Sequence, residues 1–207
     1  MSDARQPMDI ISVIGYGYLQ PIADLIEKLQ EFKRDAGGTS GYAASLIVLS
    51  YLLTESLTNR IQHIEGRSSF VGPHEFARLQ FPNTQYPDTL DEIFVVRSAI
   101  VHNHVWDQTV TWDSQFRLIM LSEALEDHQK RRLFDKVVDG ISNKTKLLGL
   151  NLVPTSIGRS DSYVVLNKLV DFLLLLEDRS RSWVYISHQQ VRYGLLDKRF
   201  VDVVHAL

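Results

Sequence analysis

Asp91-Glu-Ile-Phe-Val-Val-Arg97-Ser-Ala-Ile-Val-His102-Asn-His104-Val-Trp106 sets an arginine and two histidines into an otherwise apolar run. Turning successive side chains by about 100° puts Leu90, Ile93, Phe94 and Val101 on one helical stripe. Arg97 and His104 fall inside that stripe. A guanidinium is almost never fully buried without a partner, because desolvating it is costly. Either this face is not core, or Arg97 is held there for a purpose. A fixed cation beside imidazoles also suits phosphate chemistry: one group stabilises negative charge, the other moves protons near neutral pH.

Outward from this run, helical periodicity dominates. On the N-terminal side Tyr18, Ile22, Leu25, Leu29 and Phe32 form an amphipathic stripe, with Pro21 marking its start or a kink. Ala36-Gly37-Gly38-Thr39-Ser40-Gly41 breaks it. From Tyr42 to Glu65 the spacing predicts a long helix with Leu46, Leu49, Leu53, Leu57, Ile61 and Ile64 on one side. Val48, Tyr51 and Leu52 make its first half apolar on the other side too, the mark of a central helix contacted on two faces. Glu55, Asn59 and Gln62 lie away from the main stripe and read as its polar side. Gly66 to Asp88 reads as a loop with one short helical piece, followed by a helix from about Thr89 to beyond His102.

Val105 to Asp113 is β-branched and tryptophan-rich, so it reads as extended or irregular. Phe116 to Ile141 is amphipathic with an interruption near Asp127 to Lys130. Gly140 to Gly158 reads as a linker with a short extended piece at Leu147 to Val153. Tyr163 to Asp178 is a strong helix with Leu166, Leu169, Val170, Leu173 and Leu176 in phase. The tail holds a hairpin around Gly194 and a last short helix. The expected fold is mainly α: an up-down bundle of four to five helices over residues 1–182, with 183–207 an irregular or hairpin-containing appendage packed on the same domain.

At 207 residues the chain can bury one good-sized core. Its 44% hydrophobic and 23% charged residues are ordinary for a soluble globular protein. A net charge of −3 gives no global basic field, so non-specific duplex binding is not the default. The absence of cysteine excludes disulfides, thiolate zinc sites and thiol nucleophiles. No apolar run is long enough to span a bilayer, and Met1-Ser-Asp-Ala-Arg-Gln lacks an apolar leader, so a cytoplasmic, soluble protein without a membrane partner is expected.

Arg97-Ser-Ala-Ile-Val-His102 resembles the signature of the HEPN superfamily of helical RNases and nucleic-acid-associated domains, an Arg followed after four to six residues by a His near a helix end. The long second helix with Glu55, and the later run Lys146-Leu-Leu-Gly-Leu-Asn-Leu-Val-Pro154, agree with that architecture. The residue after the Arg is often Asn, Asp or His in the family; here it is Ser98. The resemblance implies a metal-independent endoribonuclease, a toxin or defence effector, with Arg97 and His102 catalytic. It also implies an RNA substrate, a homodimer with a composite site, and an antitoxin or regulatory partner protein. Ser98, Asn103, His104 and Glu55 are supporting or alternative residues, and no cofactor or metal is expected.

The helical wheel adds its own constraint. Five residues rotate about 140°, so Arg97 and His102 diverge on an unbroken helix, whereas seven bring His104 back beside Arg97. Unwinding near Asn103 swings His102 toward Arg97 instead. His102 is the first choice and His104 the second. A different class of reading is a non-catalytic module binding nucleic acid or a partner protein, which the acidic net charge favours. A third is structural: Arg97 pairs with Glu55 or Glu92 and the histidines cap carbonyls.

Weaker motifs surround these. His102-Asn-His104 with Asp107 or Asp113 is a poor metal set lacking a clear third ligand. Trp106 and Trp112 could stack on bases but are more often anchors. Lys130-Arg131-Arg132 reads as a solvated helix face. Gly15-Tyr-Gly17 and Gly37-Gly38 lack the lysine and strand context of a phosphate loop.

Overall fold

The computed structural model describes residues 14–32, 39–101, 106–109, 117–120, 128–180 and 184–207, and they are mainly helical. A 3-10 turn, Ile14–Tyr18, leads into α1, Leu19–Glu31, whose first turn accommodates Pro21 without a break. Pro21 is the third helical residue, where the N–H has no intrahelical acceptor, so its absence breaks no helix bond. Leu19, Ile22, Ile26 and Leu29 bury a stripe of helical period.

The central element is α2, Ser40–Ile64. It packs against α1 and against α6, Arg159–Arg179, and also against α3, Pro73–Gln80, and α4, Tyr86–Val101. Such all-round contact requires small or self-satisfied polar residues among the leucines. Ser50 and Thr54 meet it by donating to the Leu46 and Ser50 carbonyls one turn back, at 2.7 and 3.0 Å. In α6, Leu166, Leu169, Val170, Leu173 and Leu176 are buried in phase. Asp161 fixes the start of α6, accepting from the Gly158 N–H at 2.8 Å and from the Asn151 N–H at 2.9 Å.

Gln62 corrects the reading of a polar side on α2. It is fully buried, and its amide pairs with Val71 in both directions: the Val71 N–H donates to Oε1 at 2.9 Å and Nε2 donates to the Val71 carbonyl at 3.0 Å. A side-chain amide has the same donor and acceptor as a backbone unit, so a polar wheel position can be a core clamp. Gln62→Ala is expected to cost about 1–3 kcal/mol and to speed exchange of the Val71 amide. Unchanged Val71 exchange would remove the clamp from the account.

After α4 come β1, Trp106–Thr109, and β2, Arg117–Met120, paired antiparallel with Trp106 opposite Met120 and Thr109 opposite Arg117. The helix expected over Phe116 to Ile141 is thus corrected. Residues 117–120 are strand, and α5 covers only His128–Val137. The apolar run Leu118-Ile-Met120 fits either period, and an adjacent β-prone partner decided it. The extended piece expected at Leu147 to Val153 is narrower than that span: 146–148 form a turn, and Asn151 bridges antiparallel to Lys144 of β4, Lys144–Thr145, which itself pairs with β3, Val138–Asp139.

β5, Gln190–Tyr193, and β6, Leu196–Arg199, form the hairpin expected around Gly194, followed by α7, Phe200–His205. Gly194 has φ +63° in the two-residue turn, a conformation that suits a residue without Cβ. Gln20 of α1 donates to the Arg192 carbonyl at 2.9 Å and accepts from its N–H at 2.8 Å. Val184, Ile186, Val191, Phe200, Val203 and Val204 join the same buried core as α1, α2 and α6.

Candidate functional site

The stripe on α4 is core at one end only. Leu90 and Ile93 are inaccessible to solvent, Phe94 and Arg97 are half-buried, and Val101 is exposed. The helix emerges from the bundle as it approaches Arg97. Its first half is locked by acids whose partners lie elsewhere. Asp91, fully buried, accepts from Arg78 of α3 at 2.6 Å and from Lys136 of α5 at 3.1 Å. Glu92, also buried, accepts from the backbone N–H groups of Leu147 and Leu148 at 2.6 and 2.8 Å.

Glu92 is therefore occupied by the turn after β4 and does not pair with Arg97. Glu55 is half-buried on α2, and among the described residues neither it nor any other carboxylate lies within ion-pair distance of Arg97. The Arg97 guanidinium lies 5.5 Å from the centre of the Tyr51 ring, and its Nε is buried with no hydrogen-bond partner among the described residues. The neighbouring Ser98 Oγ is buried and likewise has no partner among the described residues. A cation on an aromatic face keeps part of its stabilisation without surrendering its charge to a carboxylate. The arrangement leaves Arg97 competent to meet an anion.

Tyr51 belongs to a ladder of rings that the sequence did not reveal. Its ring centre is 6.2 Å from that of Phe94, and Phe94 stacks on His74 at 4.4 Å with planes 28° apart. His74 is delivered by local chain chemistry. The Gln62 clamp holds Val71, Gly72 is extended, and Pro73 opens α3 at its first position. A side chain at Gly72 would press on the imidazole, which would have to shift by a few tenths of an ångström. A Cβ there would sit 3.1 Å from His74 Cε1, 3.2 Å from His74 Nδ1 and 3.8 Å from the Tyr51 hydroxyl. Tyr51, Gly72 and His74 thus converge on one point beside the α4 face that carries Phe94 and Arg97.

The electrostatics separate the two groups by role. Burial holds the Tyr51 phenol well above its ordinary range, reinforced by Glu55 and Glu75 and opposed by Arg97. It stays protonated at neutral pH. Burial also pushes the His74 imidazole below its ordinary value of 6.5, with Arg78 adding to the effect and Asp91 and Glu75 opposing it. His74 is therefore a neutral ring whose buried Nδ1 has no partner among the described residues. Below about pH 6.5 the unfolded chain takes up a proton at this position that the folded chain resists. His74 thus costs stability as pH falls through that value and costs none above it. Urea unfolding of the wild type should weaken between pH 7 and 5 more than that of His74→Gln, and parallel pH profiles would contradict this.

Arg97, Ser98 and Glu55 are thus placed on facing helices, with Arg97 and Ser98 adjacent and Glu55 one turn beyond Tyr51. His102, Asn103 and His104 lie outside the described residues, immediately after Val101 ends α4. Trp112 and Asp113 lie outside them too, whereas Trp106 and Asp107 fall in β1 and Lys130-Arg131-Arg132 in α5. Among the described residues no three His, Asp or Glu side chains converge as a metal set, and no helix is long and apolar enough to cross a membrane. No family model matches the chain, and no curated protein or solved structure is found to be similar to it.

Proposed function

We propose that the chain is a metal-independent endoribonuclease of the HEPN kind, acting in the cytoplasm as a toxin or defence effector. The single observation that supports this reading is Arg97: a half-buried cation on the Tyr51 face, with no carboxylate partner among the described residues, at the end of the helix that leads into His102. A guanidinium in this state matches a phosphodiester, whose negative charge grows when a fifth oxygen adds to phosphorus. The ribose 2′-hydroxyl attacks the adjacent phosphate, the bond to the 5′ oxygen breaks, and a 2′,3′-cyclic phosphate and a 5′-hydroxyl result. His102 exchanges the protons. The same reading has two copies of the chain sharing a cleft, with the exposed end of α4 facing it, and an antitoxin or regulatory protein controlling the site.

The test is incubation with total RNA and tRNA in a chelator, beside Arg97→Ala and His102→Ala. Cleavage that persists in the wild type and disappears in both variants supports the proposal. Intact RNA with folded wild-type protein, accompanied by Arg97-dependent RNA binding, identifies a non-catalytic nucleic-acid module instead.

A further inference from the structure

We propose that the β5–β6 hairpin joins a second copy of this chain, the outer edge of β6 pairing antiparallel with its own counterpart about a two-fold axis. Among the described residues β6 has one strand neighbour, β5, and Leu196, Asp197, Lys198 and Arg199 are all exposed. The hydrogen-bond phase of the hairpin fixes which backbone groups face out. The Phe200 N–H donates to the Gln189 carbonyl at 2.8 Å. Residues 200, 198 and 196 therefore turn their backbone groups toward β5, and Asp197 and Arg199 turn theirs outward. Such an edge is a template for another strand.

Symmetry and charge then select one register. Only residues with outward groups form hydrogen-bonded pairs, so Asp197 meets Asp197, Arg199 meets Arg199, or Asp197 meets Arg199 of the second copy. The first two set like charges face to face, which is unfavourable. The third repeats by symmetry, so backbone bonds form at both positions and carboxylate meets guanidinium on one face of the joined sheet. Asp197 has no ion-pair partner of its own among the described residues. Arg199 gives Nε and one terminal nitrogen to Asp202, at 2.7 and 2.8 Å, and its remaining nitrogen suits a second carboxylate. Lys198 falls opposite Lys198 on the other face, where each ammonium is drawn back over its own Tyr193 ring, 5.0 Å from the centre. Charged side chains ordinarily blunt a sheet edge; this order of charges admits a copy of itself in one alignment. The same register lays Leu195 and Leu196, 89% and 65% exposed, beside the start of the second copy's α7. The contact is separate from the α4 end, because the hairpin packs on α1 and α7.

The experiment is sedimentation velocity of the full chain from micromolar to millimolar concentration, with amide exchange read at Asp197 and Arg199 and each variant checked by thermal melting. The wild type should associate, and exchange at these two amides should slow as concentration rises. Asp197→Arg and Arg199→Asp each set like charges across the axis, and each should weaken association by about tenfold. Combining them restores opposite charges and should bring the constant back to within about threefold of the wild type. Val101→Asp, at the exposed end of α4, should leave the exchange response at Asp197 and Arg199 intact, which tells this contact from one made through α4. A wild type that stays monomeric throughout overturns the proposal. So does association that leaves both amides fast, or that the combined change fails to recover.

Discussion

Arg97→Ala is expected to lower RNA cleavage by at least about 10²-fold while moving the melting temperature by only about 2–4 °C. The two effects separate because of what Arg97 touches. Its stabilising contact is the Tyr51 face, worth about 1 kcal/mol, and among the described residues no carboxylate is orphaned when it goes. Had Arg97 been half of a buried ion pair, its loss would cost about 3 kcal/mol or more. Lysine at this position keeps the charge but not the planar fork that stacks on tyrosine and grips two phosphate oxygens, so Arg97→Lys should fall between the two. Wild-type cleavage rates in Arg97→Ala would remove the cation from the mechanism. A melting loss above about 6 °C would return it to the structural reading.

Glu92→Ala should show the reverse pattern, with the largest stability loss among single changes near the site. The Glu92 carboxylate is 2% exposed and takes two backbone N–H groups, from Leu147 and Leu148, at 2.6 and 2.8 Å. Charge-assisted bonds of this length are stronger than neutral ones, and their removal strands two donors in the turn after β4. The expected cost is about 2–3 kcal/mol, or roughly 4–12 °C in melting temperature. Water reaches part of that turn, since Leu147 is itself exposed, and this holds the figure below the fully buried limit. Glu92→Gln should recover little, because an amide presents a second donor where an acceptor is needed. Melting within 1 °C of the wild type in Glu92→Ala would contradict the assignment.

The contrast between Arg97 and Glu92, five residues apart on one helix, shows what could be read before the structure. A cation inside an apolar stripe is conspicuous in sequence, and Arg97 does lie where the stripe leaves the core. The destination of Glu92 was not legible, because its partners are backbone groups more than fifty residues away. The long helices α2 and α6 were legible because many turns of in-phase leucine outweigh any local exception. Gln62 was such an exception: a polar position that pairs with the backbone looks the same in sequence as one that faces water. Arg117–Met120 was missed because four residues support either period, and a strand partner eight to fourteen residues away settles the matter. His74 left almost no signal. Its helix spans eight residues, too short for a periodic stripe, and its placement depends on Gly72, Pro73 and a ring on another element.

The two histidines that opened the reading, His102 and His104, follow directly on Val101, so the chemistry must be tested in solution. The most direct measurement is end-group analysis of an RNA oligonucleotide cleaved in the presence of a chelator, beside the same oligonucleotide with one 2′-deoxy substitution at the cut position. The account predicts a 2′,3′-cyclic phosphate and a 5′-hydroxyl from the first, and no cut at the substituted position in the second. A 5′-phosphate product, or equal cleavage of the deoxy-substituted strand, would contradict it.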